Sequence, residues 1–279
     1  MVKNAFAYVT RKSLKSIIIL LIVLAMSTLC LISLAIKDAT DRASEETFKN
    51  ITNSFSMEIN RRVNFGTPRG GNIKWKDIKK IAESKDIYDY VKRINSVADL
   101  VDYDIIETQA TTVNQSSERA QNFKRTVMLT GVNNSLKENK FVSGVYKLVE
   151  GEHLINQDKN KILMHKDLAK KNNLKIGDKI KIKSNLFDAD NEKGANETIE
   201  VEIKGLFDGH NNSNVTSTQE LYENTLITDL DTAAKVYGNT EDTAVYQDAT
   251  FFVKGDKNLE QVIKKCWKAW HKLETIYIS

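Results

Sequence analysis

The chain has 279 residues, of which 41% are hydrophobic and 28% are charged, and its formal net charge is +4. This balance excludes a disordered chain, and a single proline with 12 glycines excludes collagen-like and proline-rich architectures. Because the small positive charge is spread over the length, the sequence argues against nucleic-acid binding.

The first element in chain order is an apolar run over residues 16–36 that contains no charged residue. At 1.5 Å per residue, a helix of this length reaches about 31 Å, close to the roughly 30 Å of a bilayer's hydrocarbon core. The run therefore predicts one transmembrane helix. A cleaved signal peptide is the alternative, but its apolar region is usually only about 7 to 15 residues long.

Charges on either side of this run predict its orientation. Arg11, Lys12 and Lys15 precede it without any acid, whereas acids and bases are mixed after it. By the positive-inside rule we expect residues 1–15 in the cytoplasm and residues 37–279 outside a cell membrane, on a single-pass anchor in the lipid bilayer. Residues 1–15 are equally compatible with a short interfacial helix and with a frayed basic tail.

Hydrophobic periodicity, together with glycine and proline, divides the first half of the outer region into predicted strands, helices and loops. Residues 54–60 alternate, with Phe55 and Met57 on one face, which is typical of a half-buried strand. In chain order we expect a helical stalk over 38–50, this strand, a loop over 65–72, a helix over 75–84, and strands over 91–104 and 124–129 with a polar loop over 111–121 between them.

The second half alternates short strands with short helices. We expect strands over 161–164, 179–183, 198–206, 226–228 and 250–254, and helices over 165–172, from Asp229 or Asp231 to Gly238, and over 259–270. The hairpin tip over 187–196 is polar, and Gly177 is expected at positive φ in a tight turn over 174–178. The pattern predicts an α+β fold: a mixed α/β outer domain, with two subdomains, after the membrane helix.

No pattern in the sequence nominates a catalytic, metal-binding or cofactor-binding residue, so we expect no enzyme and no cofactor. The four histidines are far apart in sequence, and Asp208-Gly-His210 alone is a weak metal signal that favours a surface loop. Asp188 begins an imperfect copy of a calcium loop whose bidentate glutamate is missing. Cys30 lies in the apolar run and Cys266 near the C-terminus, so we expect no structural disulfide.

One part of the chain resembles a known family. The run Gly151-Glu-His-Leu, then residues 161–170 (KILMHKDLAK) and 173–180 (NLKIGDKI), is similar to the extracytoplasmic core domain of MacB/FtsX-like ABC transporter permeases, with those of Gram-positive bacteria the most similar. The structural motif residues that carry this resemblance are Asp167, Leu168, Ala169, Leu174, Gly177 and Asp178. Read by itself, the motif is a helix–turn–strand corner rather than an active site.

The resemblance implies a permease subunit whose outer domain couples ATP hydrolysis by a separate cytoplasmic ATPase to export or other extracytoplasmic work, together with a further permease subunit. Such permeases usually have three more membrane helices after the outer domain, and the last helix here is too charged to span. We therefore expect a truncated permease, a fragment, or a product whose other helices lie elsewhere. A single-anchor sensor or adhesion domain and an anchored surface enzyme remain as alternatives.

Overall fold

The computed structural model describes residues 13–51, 53–59, 73–113, 116–211, 215–255, 257–270 and 276–278. The chain divides into two compact units, Met1–Thr52 and Asn53–Ser279. The predicted loop over 65–72, and Arg11 and Lys12 of the basic flank, lie outside the described residues. The predicted division of the outer region into two subdomains stays a prediction.

The first unit contains one long helix, α1 (Ser13–Ile51), of 39 residues. It covers both the uncharged run and the predicted stalk as one continuous element. Large apolar side chains between Ile17 and Leu34 are exposed along it. Among the residues that the structure describes, no helix combines the length and the apolar character needed to cross a membrane.

The second unit is built around a ten-stranded sheet. The strands are β1 (Ser54–Ile59), β2 (Ile73–Lys74), β3 (Ile87–Leu100), β4 (Thr126–Val132), β5 (Lys147–Gly151), β6 (Lys161–His165), β7 (Lys179–Ser184), β8 (Thr198–Asp208), β9 (Thr225–Thr228), β10 (Val245–Tyr246), β11 (Asp248–Val253) and β12 (Ile276–Ile278). Strands β10 and β2 pair separately as a two-stranded sheet.

Short helices connect these strands. They are α2 (Trp75–Ala82), α3 (Gln109–Val113), α4 (Ser117–Asn122), α5 (Asn139–Val142), α6 (Lys166–Lys171), α7 (Leu230–Lys235) and α8 (Leu259–Trp270), with 3₁₀ turns at Ser135–Lys137, Thr218–Glu220 and Tyr222–Asn224. The mixture of strands and helices confirms the predicted mixed α/β outer domain.

Six strands of the large sheet close into a ring in the order β3-β4-β9-β6-β8-β7. Two pairs are parallel, β4 with β9 and β6 with β8, and the other pairs are antiparallel. The alternating apolar residues of β7 and β8 are buried, as the period of two predicts: Ile180, Ile182, Ile199, Val201 and Ile203. Strands β11, β1 and β12 extend from β3, and β5 lies beside the end of β8.

Two groups of buried apolar residues lie on either side of strands β6 and β9. Ile162 and Met164 belong to the larger core, which also contains the alternating residues of β7 and β8. Leu163 and Ile227 point the other way, into a smaller core with Phe207. Because both faces of these strands are covered, their central residues, 162–164 and 226–227, are apolar without alternation.

Several segment predictions differ from the structure. The expected polar loop over 111–121 instead overlaps helices α3 and α4. Helix α4 begins there because Ser116 caps it by accepting a hydrogen bond from the Arg119 N–H at 3.3 Å. Strand β3 begins four residues before the predicted start, where Ile87 pairs with Val253, and ends at Leu100 rather than at 104. Helix α7 ends at Lys235 instead of reaching Gly238, although Asp229 does cap its start. Strand β5 was not predicted, since most of its residues are exposed.

A glycine allows helix α7 to approach strand β4 closely. A Cβ atom added at Gly131 would lie 2.4 Å from the Cβ of the buried Ala233 and 3.4 Å from the carbonyl oxygen of Asp229. Contacts of this kind force the backbone or the helix to shift.

We predict that Gly131→Ala lowers the free energy of unfolding by about 1–3 kcal/mol, the usual cost of overpacking a core. Urea denaturation followed by circular dichroism measures it. Gly255→Ala is the matched control, because nothing lies within 4 Å of a Cβ at that position. Equal stability of the two variants would contradict the proposed close packing.

The Arg93 guanidinium group contacts two carboxylates beside strands β3 and β11, those of the buried Glu138 and the partly buried Asp248. Arg93 donates to Asp248 at 2.8 Å, and a second nitrogen lies 3.5 Å from the Glu138 carboxylate. Burial raises the pKa of Asp248 to about 6, with Arg93 opposing this rise and the nearby Glu58 and Glu138 adding to it. The desolvation of the Asp248 carboxylate therefore outweighs the attraction of Arg93, which Asp248 shares with Glu138.

The pKa of Asp248 is higher in the folded state than the value of about 3.9 in an unfolded chain, so its contribution to stability is largest below about pH 4 and is lost as the pH rises through about 6. We predict that the free energy of unfolding of the parent chain, relative to that of Asp248→Asn, falls by up to about 3 kcal/mol between pH 4 and pH 7. Urea titrations across this range measure the difference, and a difference that rises with pH would show that the ion pair outweighs burial.

Candidate functional site

The predicted corner lies between helix α6 and strand β7. Leu168 and Ala169 are buried in the larger core, and Leu174 packs against it. Gly177 has a φ of +88°, which a side chain disfavours, and the Asp178 carboxylate accepts a hydrogen bond from the Lys175 N–H at 2.9 Å. The turn therefore has the glycine at positive φ that the sequence predicts.

Two backbone hydrogen bonds attach this corner to strand β8. The Gly177 N–H donates to the Ile203 carbonyl at 2.8 Å, and the Ile203 N–H donates to the Asp178 carbonyl at 2.9 Å. These contacts place the corner in the scaffold. Of the predicted motif residues, Asp167 alone reaches a polar cluster, at the opposite end of α6.

His165 lies at the centre of that cluster and is fully buried. Its Nε2–H donates to the Gly209 carbonyl at 2.9 Å, and its Nδ1 accepts from the Asp167 N–H at 3.2 Å. Burial is the largest cause that lowers the pKa of His165, so the ring is neutral at pH 7. Since both ring nitrogens are engaged, His165 joins the end of β6 to the loop after β8.

His210 lies on the exposed side of the same cluster, with its ring centroid 5.6 Å from that of His165. Its Nδ1–H donates to Glu223 Oε1 at 2.7 Å, and its Nε2 lies 3.4 Å from Asp208 Oδ1. The hydrogen bond to Glu223 is the largest cause that raises the pKa of His210. Glu223 Oε2 is buried and has no hydrogen-bond partner among the described residues.

Asp208 connects this cluster to a cation and to a cavity. Its Oδ2 accepts from Lys166 Nζ at 2.6 Å, and its Oδ1 accepts from the Gly209 N–H at 2.9 Å. The hydrogen bond from Lys166 is the largest cause that lowers the pKa of Asp208. A cavity of about 400 Å³ adjoins the cluster, lined by Ser143, Gly144, Val145, Lys147, Asp208, Gly209 and His210.

The arrangement is suited to binding. It offers imidazole and carboxylate groups beside a polar cavity, and Ser143 is the one hydroxyl or thiol side chain among the cavity-lining residues. One nitrogen of His165, a carboxylate oxygen of Asp167 and one nitrogen of His210 all lie within 4.8 Å of one another. These residue types ligate divalent cations.

The residues of this cluster lie far apart in the sequence, so no local motif identifies it. The parallel pairing of β6 with β8 sets His165 opposite Phe207, so both strands end at the same edge of the sheet. A sequence signal exists, because each of the two strands is followed directly by a polar run containing histidine or aspartate. In the imperfect copy of a calcium loop, the Asp188 carboxylate accepts a hydrogen bond from the Tyr237 hydroxyl. Of the basic flank, Lys15 is exposed in α1.

Comparisons with known proteins identify the family. The family model for the MacB-like periplasmic core domain matches residues 16–265. The periplasmic region of MacB from Actinobacillus actinomycetemcomitans is similar over 82% of this chain and 88% of its own, with 16% identity and a TM-score of 0.51, which indicates a shared fold. The extracellular domain of the noncanonic ABC-type transporter YknZ from Gram-positive bacteria covers 81% of this chain and 99% of its own, at 10% identity and a TM-score of 0.46.

No curated protein matches the chain. The family match nevertheless extends over most of the 279 residues and includes the corner at Leu174–Asp178 as well as the polar cluster. The chain therefore belongs to the MacB-like periplasmic core domain family, the extracytoplasmic core of MacB/FtsX-like ABC transporter permeases.

Proposed function

We propose that this chain is a membrane-anchored permease component whose outer domain moves in response to ATP hydrolysis by a separate cytoplasmic ATPase. In this proposal residues 16–36 cross the membrane, residues 1–15 are cytoplasmic, and residues 37–279 are extracytoplasmic. The ATPase binds on the cytoplasmic side, and a further permease subunit completes the transporter. The observation that carries the proposal is the family match over residues 16–265, which includes both the uncharged run and the domain.

The continuity of helix α1 supports mechanical coupling. The helix includes the uncharged run and ends at Ile51, and strand β1 begins at Ser54, so residues 52 and 53 alone connect the two elements. A link this short cannot act as a long flexible spacer. Movement of the helix along its axis would therefore be passed to β1 rather than absorbed by slack chain.

The direction of strand β12 supports the same arrangement. It runs antiparallel to β1, with Ile276 opposite Ile59 and Ile278 opposite Met57. Strand β12 consequently points back towards the start of β1, which is the end that joins α1. Any membrane helix encoded after this strand would therefore follow the end of β12 that points towards the start of β1.

We predict that protease added to intact cells digests residues 37–279 and leaves a short anchored N-terminal fragment. The reason is the excess of cations before residue 16, which favours a cytoplasmic N-terminus. Epitope tags at each end and immunoblotting measure this. Protection of the C-terminal tag in intact cells, with cleavage only after the membrane is permeabilised, would contradict the topology.

We further predict that an ABC ATPase co-purifies with the chain when it is expressed with any downstream membrane helices encoded after it. Insertion of four glycine and serine residues between Thr52 and Asn53 should leave this association intact while reducing the effect of the outer domain on ATPase turnover, because it lengthens the short link between α1 and β1. The matched control is an equal insertion after Gly255, in an exposed turn. Absence of any ATPase partner, or equal turnover in both insertion variants, would count against coupling through α1.

A further inference from the structure

We propose that Asp167, Asp208 and His210 form a binding site for a divalent transition-metal ion such as Zn²⁺. The site lies where strands β6 and β8 end, beside the cavity of about 400 Å³. It is a function additional to force transmission and does not depend on the transporter proposal.

The distance between two of the donors fits one metal ion. His210 Nε2 and Asp208 Oδ1 are 3.4 Å apart. Two ligands bound tetrahedrally at about 2.0–2.2 Å from a zinc ion are themselves roughly 3.4 Å apart. A carboxylate oxygen of Asp167 lies within 4.8 Å of one nitrogen of His210 and of one nitrogen of His165. In the proposed site, the Asp167 side chain rotates to bring this oxygen to the ion held by Asp208 and His210.

Glu223 gives His210 the orientation of a metal ligand. It accepts the Nδ1–H of His210 at 2.7 Å, which leaves Nε2 facing Asp208. Metal-binding histidines almost always donate their other N–H to a carboxylate, carbonyl or water, and this contact fixes the tautomer and increases ligand basicity. Glu223 is only 16% exposed, and its second oxygen is buried without a hydrogen-bond partner among the described residues.

His165 acts in this site as a positioning residue. Its two nitrogens bind the Gly209 carbonyl and the Asp167 N–H, so neither has a free lone pair directed at a metal ion. Through these two bonds the buried ring holds the segments that carry Asp167 and His210 together. Water from the adjoining cavity would complete the coordination, as in sites with an open position.

Lys166 opposes binding. Its ammonium group lies 2.6 Å from Asp208 Oδ2 and neutralises part of the charge that would attract a cation. Lys166 is a surface residue whose side chain is 39% exposed, so its replacement should not disturb the core. The proposal therefore predicts that Lys166→Gln binds the metal ion more tightly than the parent chain, an effect that damage to the fold would not produce.

The test is a titration of the full-length chain, stripped with chelator, with Zn²⁺ by calorimetry and with Co²⁺ by visible absorption, whose intensity reports tetrahedral coordination. The expected result is one His210-dependent ion per chain. His210→Ala should weaken binding at least 10-fold, Glu223→Gln by about 10–100-fold, and Lys166→Gln should strengthen it several-fold. His153→Gln is the control, because His153 lies apart from the cluster and binds Ser135. Unchanged affinity in His210→Ala, or no saturable binding by the parent chain and by Lys166→Gln, would overturn the proposal.

Discussion

The antiparallel pairing of β7 with both β3 and β8 is the constraint on which the rest of the second unit depends. It closes six strands into a ring, so each of them pairs on both sides with another strand of the ring. Closure requires the chain to leave β6, turn through α6 and enter β7 within a short distance. The corner at Leu174–Asp178 performs this turn, with Gly177 at positive φ and two hydrogen bonds from the turn to β8.

The same ring determines where polar groups meet. Because β6 and β8 are parallel neighbours, their carboxyl ends lie at one edge, and the residues that follow them must share that edge. His165, Asp167, Asp208 and His210 are brought together in this way although more than 40 positions separate the first from the last. The polar cluster and the corner thus lie at opposite ends of one short helix, α6, which connects them.

Local sequence signals predict those parts of the fold that local physics determines. Alternation identifies β1, β7 and β8, since one face of each is buried, and helix α8 has the bounds that its apolar period indicates. The elements that the sequence does not predict were missed for different reasons. Strand β5 is mostly exposed and carries no apolar period, and α4 depends on a cap at Ser116 within a polar stretch. Ring closure and the polar cluster depend on pairings between distant strands, which no window of sequence contains.

Two descriptions of His210 compete, and the surrounding charges distinguish them. As an imidazolium, the ring would be held between Glu223 and Asp208, with Asp208 also bound to Lys166. That arrangement places two cations, the His210 imidazolium and the Lys166 ammonium group, beside the single carboxylate of Asp208. As a neutral ligand, the ring keeps its bond to Glu223 and directs Nε2 at the gap beside Asp208, where a divalent ion replaces one proton with two charges. Lys166 decides between the metal-free and the metal-bound state of the cluster, because its ammonium group supplies at Asp208 the positive charge that a metal ion would otherwise bring.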